Sequence, residues 1–295
     1  MPNTDTMKTI ASTEVHYLHS DIVGDDYKIF VAKPPYPMAG DMKLPVVYAL
    51  DANGAFASVV ETARMLQLGG EMPSCYVVGI GYCKGSFPET MTLRARDYTP
   101  TQFSRFERGY PQIIGSSEPL HTGGAAAFLR FIREELKPWV VANFPGADAN
   151  DATLTGTSFG GLFTVYSMLR APDTFQRYLA CSPSLLYDDE VMFALESESA
   201  TTHIDLPLRA FFSCGAQENE TEMMRALEPM PAPLRNAHQA LWRLRMVELL
   251  TPFVAVLRKR NYPGLRLDCH VFEGENHMSV YPAALSRGLR SLFRS

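Results

Sequence analysis

The chain has 295 residues, 46% of them hydrophobic, enough to bury a substantial core in one large domain. A formal net charge of -5 argues against nucleic acid as the main partner, because neutralising phosphates calls for a basic surface. The five cysteines form no C-x-x-C pair, the N-terminus carries no secretion signal, and no apolar run reaches the length of a membrane span; the expectation is a soluble cytoplasmic protein with reduced thiols and no membrane partner.

Two early β-rich runs, "VHYLHSDIV" (15–23) and "YKIFVAKPP" (27–35), lie close enough for an antiparallel hairpin. "LPVVYALD" (44–51) and "CYVVGIGY" (75–82) read as further strands, separated by a helical pattern over 55–70 that ends in a glycine pair. Residues 83–120 have little periodicity and many turn formers, and read as a long functional loop. A long helix follows over 123–144, with a bend expected at Pro138. Then come strand "ATLTG", helix "FGGLFTVYSMLRAP", strands "RYLACSP" and "RAFFSCG", a helical insertion over 219–260, strand "RLDCHVFEG" and a closing helix. Such alternation predicts a mostly parallel sheet covered by helices on both faces. The expected organisation is a single domain over 1–295, with an edge loop at about 83–120 and a helical insertion at about 219–260. Both segments follow a predicted strand, so both should reach the carboxyl edge where open α/β sheets bind ligands.

Gly156-Thr157-Ser158-Phe159-Gly160 fits G-x-S-x-G at the junction of a predicted strand and a predicted helix. The glycines could be simple turn residues. Alternatively they clear space around Ser158, so that its oxygen can act as a nucleophile beside the positive helix N-terminus. A nucleophilic serine needs a base. In the α/β-hydrolase order of serine, acid and histidine, the histidine lies after the last strand, where "EGENHMSVYP" carries His277. His16, His19, His121, His203, His238 and His270 fall in less suitable places. The acid should follow an earlier strand end. After "RAFFSCG" the chain offers Glu218, with Glu220 and Glu222 better suited to a helix start; Asp188 and Asp189 follow the strand before.

"LPVVYALDANGAF", "LRARDYTP", "GTSFGG" and "GENHMSV" together resemble the putative-esterase branch of the α/β hydrolases over about residues 15–290. That branch includes bacterial esterases of the ferric catecholate siderophores enterobactin and salmochelin and, more distantly, esterase D and the mycolyltransferases. The resemblance implies Ser158 as nucleophile, His277 as base and a G-x-x-E acid, matched by Gly215 to Glu218. It also implies an oxyanion hole in which a D-G-N turn takes part. Here that turn reads Asp51-Ala52-Asn53, so the N–H groups of Phe159 and Asn53 are the expected donors. Some members work with a Ser–His pair alone.

No H-E-x-x-H or comparable spacing implies a metal, and no cofactor is expected. The partner implied is a small-molecule ester, hydrolysed through an acyl-enzyme. An acyltransferase and a non-catalytic binding protein on the same fold are the alternatives. Arg94, Arg96, Arg105 and Arg108 cluster in the 83–120 segment, although Arg96 with Asp97 could simply tie it down. Guanidinium groups suit carboxylates and ferric catecholates, so Arg94 and Arg96 are the expected substrate-binding pair for an anionic ester.

Overall fold

Short apolar runs pair into one eight-stranded sheet in the computed structural model, which describes residues 10–35, 42–241 and 245–294. Strands β1 (Thr13–Ser20), β2 (Asp25–Ala32), β3 (Leu44–Ala49), β4 (Tyr76–Tyr82), β5 (Ala147–Thr157), β6 (Arg177–Cys181), β7 (Arg209–Gly215) and β8 (Arg266–Phe272) lie in the order β1-β2-β4-β3-β5-β6-β7-β8. The β1–β2 hairpin is antiparallel and joins β4 antiparallel; from β4 through β8 all pairing is parallel. This is the expected α/β-hydrolase architecture. Central β3 is buried at every position, with Val46 and Tyr48 in one core and Val47 and Ala49 in the other, as a strand covered on both faces requires.

Helices α1 (Ala52–Leu68) and α11 (Val280–Phe293) pack together over one face. The other face carries α4 (Ala125–Arg130), α5 (Lys137–Asn143), α6 (Phe159–Arg170), α7 (Tyr187–Thr202) and α10 (Met246–Lys259). The bend expected at Pro138 lies earlier in the chain. Phe131–Leu136 form a π-helical run between α4 and α5, because proline lacks an N–H and its ring crowds the carbonyl of the preceding turn.

Residues 83–120 do not form the expected loop. They fold as α2 (Phe87–Tyr98) and α3 (Ser104–Ile114), the former started by a capping box between Ser86 and Glu89 with Pro88 in its first turn. Among the described residues of 219–260 lie α8 (Glu220–Leu227), α9 (Ala232–Leu241) and α10. Helix α7 was not expected. It begins with Asp188, Asp189 and Glu190 at φ 46, 50 and 68, and its buried face includes Glu196 and Ser199, which hides apolar periodicity.

The chain passes from β3 to β4 on one side and later returns to place β5 on the other. The strand order therefore reverses between β3 and β5, where a crevice opens beyond the strand ends. Asp51 and Ser158 sit at that point, one in each of the adjoining turns.

Candidate active site

Ser158 joins β5 to α6 at φ 59 and ψ -118, a conformation that is strained for a side-chain-bearing residue. Its surroundings hold it there. The Ser158 N–H donates to the Cys181 carbonyl at 3.0 Å, and its own carbonyl accepts from the N–H groups of Leu162 at 2.8 Å and Ser184 at 3.2 Å. A Cβ at Gly156 would stand 2.5 Å from the backbone carbon and oxygen of Gly160, so the close approach of strand and helix around Ser158 requires glycine there. The glycines are more than turn formers. The Ser184 hydroxyl oxygen lies 3.5 Å from Ser158 Oγ, at the outer limit of a hydrogen bond.

His277 stands in the loop between β8 and α11. The Asn276 side chain shapes that loop by accepting from the N–H groups of Met278 and Ser279. His277 Nδ1 lies 2.6 Å from Glu218 Oε2. Glu218, 2% exposed, accepts at its other oxygen from the Ser182 hydroxyl and the Gly215 N–H, both at 2.6 Å. A carboxylate so placed accepts a hydrogen bond from the Nδ1–H tautomer of the imidazole, which leaves Nε2 able to accept a proton. The acidic residues weighed against Glu218 are engaged elsewhere: Asp188 accepts from Thr101 and Asp189 pairs with Arg105. Glu220 and Glu222 open α8, where the Asn219 side chain caps the Glu222 N–H.

The first-turn N–H groups of α1 and α6 precede the first intrahelical hydrogen bonds and sit beside each other at the β3/β5 crevice. Both Phe159 and Asn53 lie in these turns. The Asn53 carboxamide is locked onto Tyr82, donating to its carbonyl at 3.0 Å and accepting from its N–H at 2.7 Å.

Arg94 and Arg96, the pair expected to bind substrate, both have partners inside the protein. Arg94 is buried, with Nε and Nη2 on the Asp51 carboxylate at 2.7 and 3.0 Å. Arg96 directs Nε to Asp97 at 2.7 Å, Nη1 to Asp25 at 2.9 Å and Nη2 to Asp97 and the Tyr27 hydroxyl. Both guanidinium groups pair within the protein, tying α2 to β2 and to the β3–α1 turn. Sequence reasoning missed Ser182, which sits at the end of β6 with φ 43 and holds the back of Glu218. A hydroxyl directly after the strand beside the Ser158 strand was the available signal.

A cavity of about 390 Å³ adjoins His277, lined by Glu222, Met223 and Ala226 of α8 with Asn276 and Met278. Among the described residues, no group of His, Cys, Asp and Glu could hold a metal ion, and no helix is long and apolar enough to cross a membrane.

The family model described as "Putative esterase" matches residues 20–243. This chain belongs to that esterase family. It is 33% identical to the ferri-bacillibactin esterase BesA of Bacillus subtilis, over 96% of this chain and 90% of that protein. Among solved structures it is similar to the BES protein of Bacillus cereus, with a TM-score of 0.77 and 27% identity over 99% and 98% of the two chains. An IroE-like serine hydrolase from Shewanella oneidensis gives 0.72 and 26% over 96% and 80%. The esterase is a serine-type carboxylic ester hydrolase on an α/β-hydrolase fold.

Proposed function

We propose that this esterase hydrolyses a ferric-siderophore ester through an acyl-enzyme, with Ser158 as nucleophile, His277 as general base and Glu218 as the acid of a catalytic triad. The observation that carries the residue assignment is Glu218, whose two oxygens join His277 Nδ1 to Ser182 and Gly215, at the ends of the two strands that follow β5 in the sheet. His277 Nε2 takes the Ser158 proton as Oγ forms a bond to the ester carbonyl carbon. Backbone N–H groups of Phe159 and Asn53 hold the developing oxyanion. Collapse breaks the bond to the alcohol oxygen, which leaves with the proton from His277. Water, deprotonated by His277, then attacks the acyl-enzyme and frees Ser158.

The substrate class rests on similarity to the ferri-bacillibactin esterase along nearly the whole chain. The cytoplasmic setting belongs to the same proposal and is supported by five cysteines that are all free thiols. The test pairs a fluorophosphonate probe with turnover of a ferric-siderophore triester and of an aryl acetate. Wild type should be labelled and should favour the siderophore ester. Ser158→Ala and His277→Ala should each lose about a millionfold in turnover, because the two groups act as one unit. Ser158→Ala activity within about tenfold of wild type overturns the serine assignment. A preference for the aryl acetate overturns the substrate class.

A further inference from the structure

We propose that Arg94 is a positioning residue that clamps together the two turns carrying the oxyanion hole. Its guanidinium spans the crevice: Nε and Nη2 grip the Asp51 carboxylate at 2.7 and 3.0 Å, and Nη2 also donates to the Thr157 carbonyl at 3.0 Å. Asp51 immediately precedes α1, and Thr157 immediately precedes Ser158. One side chain thus fixes the peptide on either side of the topological switch point.

The Asp51 end of the clamp is itself held. Asp51 adopts φ 55 and ψ 33, its N–H donates to the Tyr98 hydroxyl at 3.1 Å, and its carbonyl accepts from the N–H groups of Gly54 and Ala55. Its carboxylate also lies against α6. A Cβ at Gly160 would stand 3.1 Å from Asp51 Oδ2, so the second glycine of the serine motif leaves room for this carboxylate. The guanidinium carbon of Arg94 lies 5.6 Å from the Tyr98 ring and 5.5 Å from the Phe159 ring, which sandwiches the clamp between α2 and the first residue of α6. Burial disfavours the Arg94 charge, but the Asp51 carboxylate outweighs it and holds the guanidinium above its ordinary pKa.

Two strained turns, at Asp51 and Ser158, must keep their N–H groups aimed at one point while charge develops on the substrate oxygen. Only a planar fork reaches both turns; the lysine ammonium is a point charge on a flexible stem. Displacing preorganised donors by about 1 Å lowers turnover by roughly a hundredfold, which is the loss expected if the clamp is released.

This inference rests on the esterase reading above. The experiment measures kcat and KM on a small neutral aryl ester for full-length Arg94→Lys, Arg94→Ala and Asp51→Asn, below each variant's melting temperature. Each should lose about a hundredfold in kcat with KM changed less than about threefold. The Arg94→Ala and Asp51→Asn losses should not add in the double variant, and free guanidinium should restore part of the Arg94→Ala kcat where methylammonium does not. If Arg94→Ala fails to fold, Arg94→Lys and Asp51→Asn decide the question. Arg94→Lys turnover within threefold of wild type, or a change confined to KM, overturns the inference. The esterase reading survives that result so long as Ser158→Ala remains inactive, and fails only if Ser158→Ala stays active.

Discussion

The crevice at Ser158 has two walls built on different principles. The α2–α3 wall is anchored by charge inside the protein: Arg94 on Asp51, and Arg96 on Asp97 and Asp25, with Asp97 1% exposed and also bonded by the Tyr27 hydroxyl. Phe106, Tyr110 and Ile114 bury one face of α3 beneath it. The α8–α9 wall lies on the outside. Leu227 is the buried residue of α8, and the α8 ion pair, Glu222 with Arg225, is solvent-exposed at i,i+3 spacing. Helix α9 rests on α3. Local stability follows buried contacts, so the first wall is the more firmly fixed of the two.

Breaking the first wall should have the largest effect. Asp97→Ala leaves Arg96 and the Tyr27 hydroxyl without their buried acceptor and should lower unfolding stability by about 3–5 kcal/mol in urea melts. A loss below about 1 kcal/mol would erase the distinction between the walls. The next experiment locates the boundary. Glu218 lies two residues before α8, yet Ser182 just beyond β6 and Gly215 at the end of β7 hold its carboxylate, so it belongs to the rigid side. Ser182→Ala removes one hydrogen bond to a charged acceptor, and kcat should fall roughly tenfold to a hundredfold with KM little changed. An unchanged kcat would place Glu218 with the second wall.

Acid should act on the second wall alone. Burial holds the His238 imidazole of α9 below its ordinary pKa, so the unfolded segment takes up a proton at a higher pH than the folded one. The stability of α9 is then complete above the ordinary histidine range of about 6.5 and declines as pH falls through it. Hydrogen exchange should quicken in α9 between pH 7.5 and 5.5 while α2 stays unchanged, and His238→Gln should abolish the difference. Equal quickening in both helices would mean that the walls open as one unit. The smallest effect belongs to Arg225→Ala, whose exposed pair is worth less than about 0.5 kcal/mol. A larger shift in the urea midpoint would show α8 to be more firmly tied than its exposure suggests.

What the sequence made legible tracks how local each cause is. Strand β3 was readable because six consecutive positions are buried, which leaves a continuous apolar run. The placement of Ser158 between a strand and a helix, and of His277 in the last loop, was readable because both follow from short-range features. Helix α2 carries a start signal in Ser86, Pro88 and Glu89, but serine and proline are also turn formers, and here they sit among others. Helix α7 is harder. Its buried Glu196 is polar until Arg260, 64 residues on, arrives to pair with it. Arg94 shows the same limit more sharply. From sequence it is an arginine near an active-site edge, suited to an anionic ligand. Its actual partner is Asp51, 43 residues earlier, and only the folding of α2 over the β3–α1 turn brings the two together.

The thiols described above give the chain a built-in attachment point. Burial raises Cys75 to about 12 and Cys181 to about 11, and it also pushes Cys214 and Cys269 upward. At pH 8 these sulfurs are protonated and enclosed to differing degrees, so they are poor nucleophiles toward an alkylating dye. Burial and the nearby Asp26 and Asp25 push Cys83 upward as well, but it alone is exposed, one residue beyond β4 and three before the Ser86 cap of α2. A maleimide fluorophore should therefore take Cys83 first on the unaltered enzyme, placing an optical reporter at the foot of the anchored wall without removing any other cysteine.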